Sequence, residues 1–374
     1  TSLNTFTPFR LYRQVSDKYR FYYDTDAAFV GSSIDLSANG GELKMAFSVS
    51  DTEITIYVNG SLHVVYTIVN PMSIDLELWV WATETKYKER VKDFRIYDKA
   101  LTDDELTELT APLPPGPLLD DYPNASAAYS LRELSEAMEG NAVVRVRRSN
   151  DNTEQDFTSS EITDGTLTTF TGANDGFVTT WYDQSGNSSN ATQATANEQP
   201  KLVSSGVVEL DNGKPCIIWD NINDRMQINT SYSGNNLLSI FSVHNKTSPN
   251  PSDDSAYLVF ADASLNVPDG VLAWRWGGQL GCYRSGVHSV NGSIPYDTQV
   301  NSNFLYTSTQ VDFYNNSSLI GSKTTSNAIA NFDYTFIQIG RTGGNSSFKN
   351  QELIIYQSDQ SSNRTGIETN INTE

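Results

Sequence analysis

Positive charge is scarce in this chain. Its 374 residues carry 25 Lys and Arg against 45 Asp and Glu, a formal net charge of −20. That balance opposes phosphate backbones and excludes nucleic acid as the main partner, while favouring a well-solvated surface. Cysteine is scarcer still. Cys216 and Cys282 lie in apolar or aromatic surroundings, PCIIW and GCYR, too few for a disulfide scaffold or a thiolate zinc site. Two buried thiols or one bridge both fit the sequence. The three histidines, His63, His244 and His288, sit in unrelated contexts, and HExxH, GxSxG and GxxxxGK[ST] are all missing. Zinc-protease, nucleophile-elbow and phosphate-cradling chemistry therefore have no sequence support. No apolar run approaches the ~18–20 residues of a membrane-spanning helix, and no heptads mark a coiled coil. The opening TSLNTFTPFRLYRQ has no apolar core of a signal peptide, and it starts on Thr1 in mid-pattern, which reads as a processed or C-terminal piece of something longer.

What is abundant is strand chemistry. Nineteen Tyr, 16 Phe and 6 Trp accompany many Thr, Asn, Ser and Gly, the composition of strands joined by polar turns. LKMAFSVS alternates apolar and polar residues from Leu43 to Val49, the period of a half-buried strand. DTEITIYVNGSLHVVYTIV reads as a hairpin about Asn59-Gly60, since both residues tolerate positive φ. IDLELWVWA and VKDFRIYD read as two further strands. From Lys214 to Tyr356 short strands recur between Asn, Gly, Ser and Asp turns, the spacing of a sandwich. The N-x-S/T sites at Asn59, Asn124, Asn187 and Asn190 read as turn residues.

Helices are few. Thr102 is a natural N-cap with Glu105 as its capping-box partner, which predicts a helix over LTDDELTELT. AAYSLRELSEAME, Ala127 to Glu139, is a second helix candidate. Between them APLPPGPLLDDYP holds Pro112, Pro114, Pro115 and Pro117, a stiff stretch that cannot form a ladder. It divides the chain into a first domain over 1–111, a linker over 112–122 and a second domain over 123–374. The halves also echo each other. ITIYVNGSL followed by VKDFRIYD in the first matches QVDFYNNSSL followed by NQELIIYQSD in the second. This points to two copies of one architecture, the first incomplete at its N-terminus.

The run from IYVNG to VKDFRIYDKALTDDEL resembles the C-terminal half of a concanavalin A-like laminin-G/jelly-roll domain. KPCIIWDNINDRMQIN resembles the opening strands of that family. The YSLR, RVRRS and WYDQSGN blocks resemble the catalytic domain of family 54 α-L-arabinofuranosidases, and also domains of bacteriophage tail and head-fibre proteins. The implied fold is all-β: two tandem concanavalin A-like jelly-roll β-sandwiches with a few short helices. The arabinofuranosidase resemblance implies a Glu nucleophile and an Asp acid, as glycoside hydrolysis requires. Gly277 stands in the first place and Asn345 in the second, and neither can do that chemistry. The resemblance therefore implies the fold without the enzyme. The expected protein is a virion-surface or fibre component, extracellular, that binds host-surface glycan or decorates the particle. Other virion proteins and further copies of itself, as in fibre trimers, are its implied partners. A glycoside hydrolase with a relocated carboxylate pair, drawn from Asp175, Asp183 or Glu352, and a secreted bacterial adhesion module are the alternatives.

Some residues stand out beside this frame. Trp274 and Trp276 alternate on one strand and would stack sugars or fill the core; Trp79 and Trp81 alternate in the same way. Tyr182 and Asp183 in WYDQSGN are glycan-binding candidates, with a loop-tying role as the alternative for Asp183. Asp220, Asn223 and Asp224 cluster as oxygen donors suited to calcium, the one cofactor the resemblance admits. Arg145, Arg147 and Arg148 look like an anion patch, but in so acidic a chain Asp151 or Asp156 would pair with them.

Overall fold

The computed structural model describes residues 10–14, 18–22, 24–25, 28–29, 33–35, 44–50, 52–67, 95–97 and 99–111 in the N-terminal part of the chain. Further along it describes 116–220, 222–230, 237–247, 255–261, 271–275, 279–284, 287–293, 295–307, 310–324, 336–340 and 347–373. The chain divides into two compact units, Thr1–Pro114 and Pro115–Glu374. Leu118–Asp121 is a helical turn of the second unit, with Leu118 and Leu119 buried.

In the first unit the strands Met45–Val49, Glu53–Val58 and Ser61–Thr67 form an antiparallel meander. Asn59 and Gly60, at φ 47° and 78°, make its hairpin turn, as the Asn-Gly pair requires. Ile54 and Ile56 are its buried residues. The helix Asp103–Thr110 carries the expected capping box between Thr102 and Glu105 and buries Leu106. Arg10–Gln14, Lys18–Tyr22 and Ser33–Asp35 form a separate small antiparallel sheet. Of the strand expected over VKDFRIYD, only residues 95–97 are described: they form no ladder, and Ile96 and Tyr97 are exposed. IDLELWVWA lies outside the described residues.

The second unit is a β-sandwich. One sheet runs Ala127–Ser130, Phe348–Tyr356, Leu238–Lys246, Gln299–Tyr306, Gln310–Asn315, Ser318–Thr324, all antiparallel. The facing sheet is built around Val144–Arg148, Gly176–Trp181, Arg225–Ile228, Phe336–Gly340 and Ser255–Ala261. Leu238, Ile240, Leu353 and Ile355 from the first sheet meet Val146, Val178, Trp181, Met226, Ile228 and Ile339 from the second in one core. Side chains alternate along a strand, so Phe241, Val243, Ile354 and Tyr356 point out of the other face of the first sheet. There Leu118, Leu119, Ile367 and Ile371 from two helices cover them. Leu238–Lys246 is consequently buried at every residue.

Ala127–Glu139 is not the expected helix. Ala127–Ser130 is a buried strand paired with Glu352–Ile355, and only Glu136–Met138 coils, as a single 3-10 turn. The small apolar residues Ala127 and Ala128 suit a helix by local propensity, but an open sheet edge beside Phe348–Tyr356 decides against it.

The internal echo extends to hydrogen bonds. In the first unit the Asn59 amide donates to Lys44 O, and Lys44 N donates to Asn59 Oδ1. In the second, Asn316 N donates to Asn301 O, and Asn301 N donates to Asn316 Oδ1. The two pairs are 257 positions apart, 44 to 301 and 59 to 316. The register irregularity after Ile56 recurs after Phe313. Leu62 and Leu319, at the same offset, are exposed by 53% and 54%. In both units a helix late in the sequence packs on the meander's first strand.

One glycine is indispensable by geometry. Gly340 has φ +71°, and a Cβ there would lie 2.4 Å from Asp224 O and 3.1 Å from the Trp219 ring. Gly340→Ala is expected to cost about 2 kcal/mol, read as a lower denaturant midpoint in urea unfolding. A midpoint equal to that of the wild type would show that the close approach is relieved without cost.

Candidate functional site

Strand register builds a row of side chains across the outer face of the first sheet. Ser130 lies opposite Glu352, Glu352 opposite Val243, and Val243 opposite Asn301. Asn301 is bonded to the turn residue Asn316. These five floor a cavity of about 490 Å³, within the size range of small-ligand sites. Ser159, Ser160 and Thr163 of the short helix Ser159–Thr163 form one wall. The Leu210–Pro215 hairpin contributes Asn212 and Lys214, and the C-terminal helix Arg364–Thr373 contributes Ile371 and Asn372.

Glu352 is the carboxylate of this lining, and it is already engaged. Arg132 Nε donates to its Oε2 at 2.8 Å and Nη2 to its Oε1 at 3.2 Å, while Ser130 Oγ donates at 3.0 Å. This is the fork geometry that makes Arg–carboxylate pairs strong and directional. Asn370 Oδ1 accepts from Arg132 Nη2, and Asn370 Nδ2 donates to Gly116 O. The pair is therefore fixed from the helix side as well.

A β-bulge shapes the neighbouring wall. Val243 faces Glu352 and His244 faces Asn350, which leaves Gln351 as an extra residue in the ladder. Extra residues of this kind re-aim side chains. Gln351 Nε2 donates to Asp211 O and Lys214 O, and its Oε1 accepts from Gln299. The bulge thus anchors the hairpin that overhangs the cavity. Asn301 is 3% exposed, and its Oδ1 has no hydrogen-bond partner among the described residues.

Of the residues singled out by sequence, Glu352 lines this cavity; the others that are described fall elsewhere. Asp183 Oδ1 accepts from the Ala128 and Ser185 amides, and Oδ2 from the Ser189 amide and Ser185 Oγ. The neighbouring Gln184 bonds Ser130 O, Arg132 O and Leu134 N. WYDQSGN therefore clamps YSLR in place, and with it Arg132. Tyr182 donates to Asp156 Oδ1 at 2.7 Å, and burial pushes its phenol up to about 12. Asp175 holds Lys201 and the Ser205 amide. Arg145 pairs with Asp156 and Arg148 with Asp151, while Arg147 reaches Gln199 and Asn152. Trp274 lies in the strand Val271–Arg275; Trp276, Gly277 and Asn345 lie outside the described residues. Cys216 is a buried free thiol, raised to about 12 by desolvation; the side chain of Cys282 is not among those described.

The Asp220–Asp224 loop is closed by its own amides. Asp220 Oδ1 accepts from Ile222, Asn223 and Asp224, and Asp224 Oδ2 accepts from Asp220 N. These bonds commit Asp220 Oδ1 and Asp224 Oδ2 to the loop's own backbone. Among the described residues no group of three or more His, Cys, Asp and Glu is placed to hold a metal ion. No helix among them is long and apolar enough to cross a membrane.

Burial pushes the Asp224 carboxyl up to about 7, with the nearby Asp220 charge adding to the effect. A raised folded-state value means that the group's stabilising contribution is complete below the ordinary carboxylate range. It is lost as pH rises through about 7. Asp224→Asn is therefore expected to gain melting temperature relative to the wild type between pH 5 and pH 8. A pH-independent difference would sink this assignment. Glu352→Ala, which strands a partly buried guanidinium, is expected to cost about 3 kcal/mol in denaturant unfolding; a loss within a few tenths would mean the fork carries little of the local structure.

No family model matches the chain, and no curated protein matches it. Solved structures do. A mutant GH54 α-L-arabinofuranosidase soaked with 4-nitrophenyl α-L-arabinofuranoside is similar with a TM-score of 0.53 at 16% identity, over 69% of this chain and 65% of that one. An arabinofuranosidase complexed with arabinofuranosyl-α-1,2-xylobiose is similar with a TM-score of 0.52 at 14% identity, over 69% and 64%. This chain thus spans just under two thirds of the length of those enzymes. At such identities the likeness is one of fold: the chain shares the β-sandwich of these arabinofuranosidases.

Proposed function

We propose that the second unit is a non-catalytic glycan-binding module, displayed outside the cell on a particle or fibre surface. The observation that carries this reading is the chemistry of the 490 Å³ cavity. Its polar lining is mostly amide and hydroxyl side chains, which match the donors and acceptors of a sugar. Val243, Leu131 and Ile371 supply apolar area for a ring face. Glycoside hydrolysis needs two carboxylates, about 5 Å apart for retention or about 6.5–9.5 Å for inversion. The described lining offers Glu352, and both of its oxygens are held by Arg132 and Ser130.

The sandwich shared with arabinofuranosidases supports a sugar ligand by analogy of fold. The virion setting, attachment to host-surface glycan, other virion proteins as partners and assembly into trimers rest on the fibre-like sequence blocks. Retained catalysis is the second reading, favoured by that same structural likeness.

The test is to pass the purified chain over host-surface polysaccharide and arabinan, and to assay released reducing ends. Retention without release is the expected outcome, and Gln299→Ala should weaken retention about tenfold. Release of reducing ends that is lost in Glu352→Gln would establish an enzyme instead. Neither retention nor release would leave a particle-decorating role.

A further inference from the structure

The two repeats differ at the position that decides whether the cavity is open. Lys44 of the first unit and Asn301 of the second occupy the same place. Lys44 immediately precedes the strand Met45–Val49 and Asn301 lies near the start of Gln299–Tyr306, and each exchanges two bonds, one backbone–backbone and one to the side chain, with the turn asparagine fifteen residues on. Beyond that point their side chains do different things. Lys44 Nζ crosses to the end of the packed helix and donates to Ala111 O at 2.9 Å. Ala111 is the C-cap of Asp103–Thr110, where a cation is favoured by the unpaired carbonyls. Asn301 is two atoms shorter. Its Nδ2 reaches only Asn372 Oδ1, at 3.3 Å, near the end of Arg364–Thr373, and the space beside it belongs to the cavity.

We propose that Asn301 is the specificity-determining residue that keeps this cavity open, so that ligand binding is confined to the second unit, and that a lysine at this position closes it. The proposal rests on the glycan-binding reading for what enters the cavity, but the closure itself does not depend on the ligand. The same hairpin geometry already accommodates a lysine in the first unit. The floor around Asn301 explains why length matters here. Val243 and Glu352 lie beside it in register, and the wall residue Asn372 stands at hydrogen-bond distance. A side chain that spans from Asn301 to the helix end crosses the mouth between them.

The experiment uses the full chain. Gln299 lines the cavity and is replaced by cysteine as a reporter for a maleimide, with the unsubstituted chain as the control for Cys216 and Cys282. Adding Asn301→Lys is expected to slow labelling of Gln299→Cys at least tenfold, with an unchanged circular dichroism spectrum. Asn301→Met, of similar reach but uncharged, serves if the lysine variant does not fold, and should slow labelling to a similar degree. Retention on polysaccharide is then measured with Asn301→Lys alone and should fall at least tenfold. Unchanged labelling in a folded variant overturns the inference, whatever the retention result. Slowed labelling with full retention upholds the closure and places the glycan site elsewhere, which defeats the functional reading instead.

Discussion

The strand Leu238–Lys246 is hydrogen-bonded along both edges and buried on both faces. One face closes the core of the sandwich; the other is covered by the helices at the two ends of the second unit's sequence. Backbone groups so buried must all be paired, which fixes Gln299–Tyr306 and Phe348–Tyr356 beside it. Those two strands fix the row from Ser130 to Asn316. The cavity is thus a consequence of ladder register, and a shift of one residue in either neighbour would turn its floor into the core. The bulge at Gln351 departs from that regularity, and it ties the overhanging hairpin to the floor.

Polar side chains in this part of the unit are bonded mainly to backbone groups and to neighbouring side chains. Asp183, Gln184, Asp175 and the Arg145–Asp156 pair hold loops and strands, with their oxygens committed to named donors. Arg132 and Glu352 form an ion pair that lines the cavity itself. A carboxylate fixed by a guanidinium and a hydroxyl is suited to orienting a bound hydroxyl group. Three of the roughly four acceptor sites of Glu352 are taken by Arg132 and Ser130.

The repeat gives the molecule an internal comparison. Meander, turn asparagine, bulge and packed helix recur in both units, while the side chain at the first strand's entry changes from Lys44 to Asn301. Shared backbone geometry with a changed side chain lets two copies of one fold differ at the same place.

The sequence alone was enough for the all-β class, the hairpin at Asn59-Gly60, the capped helix after Thr102 and the pairing of Arg145 and Arg148 with nearby carboxylates. Each of these depends on short-range chemistry: alternation, turn dihedrals, a capping box, charges a few residues apart. It also offered Glu352, though among other carboxylates and without its partner. It misread Ala127–Glu139, where helix-favouring residues are overruled by an edge waiting to be paired; Tyr182 and Asp183, which it offered as glycan contacts, are hydrogen-bonded to Asp156 and to the Ala128 amide. Only tertiary structure decided that Ser130, Glu352, Val243, Asn301 and Asn316 stand side by side, because antiparallel register joins residues far apart in sequence, 222 positions from Ser130 to Glu352. No local pattern carries that information, since the pairing is fixed by burial of the whole sheet rather than by any one segment.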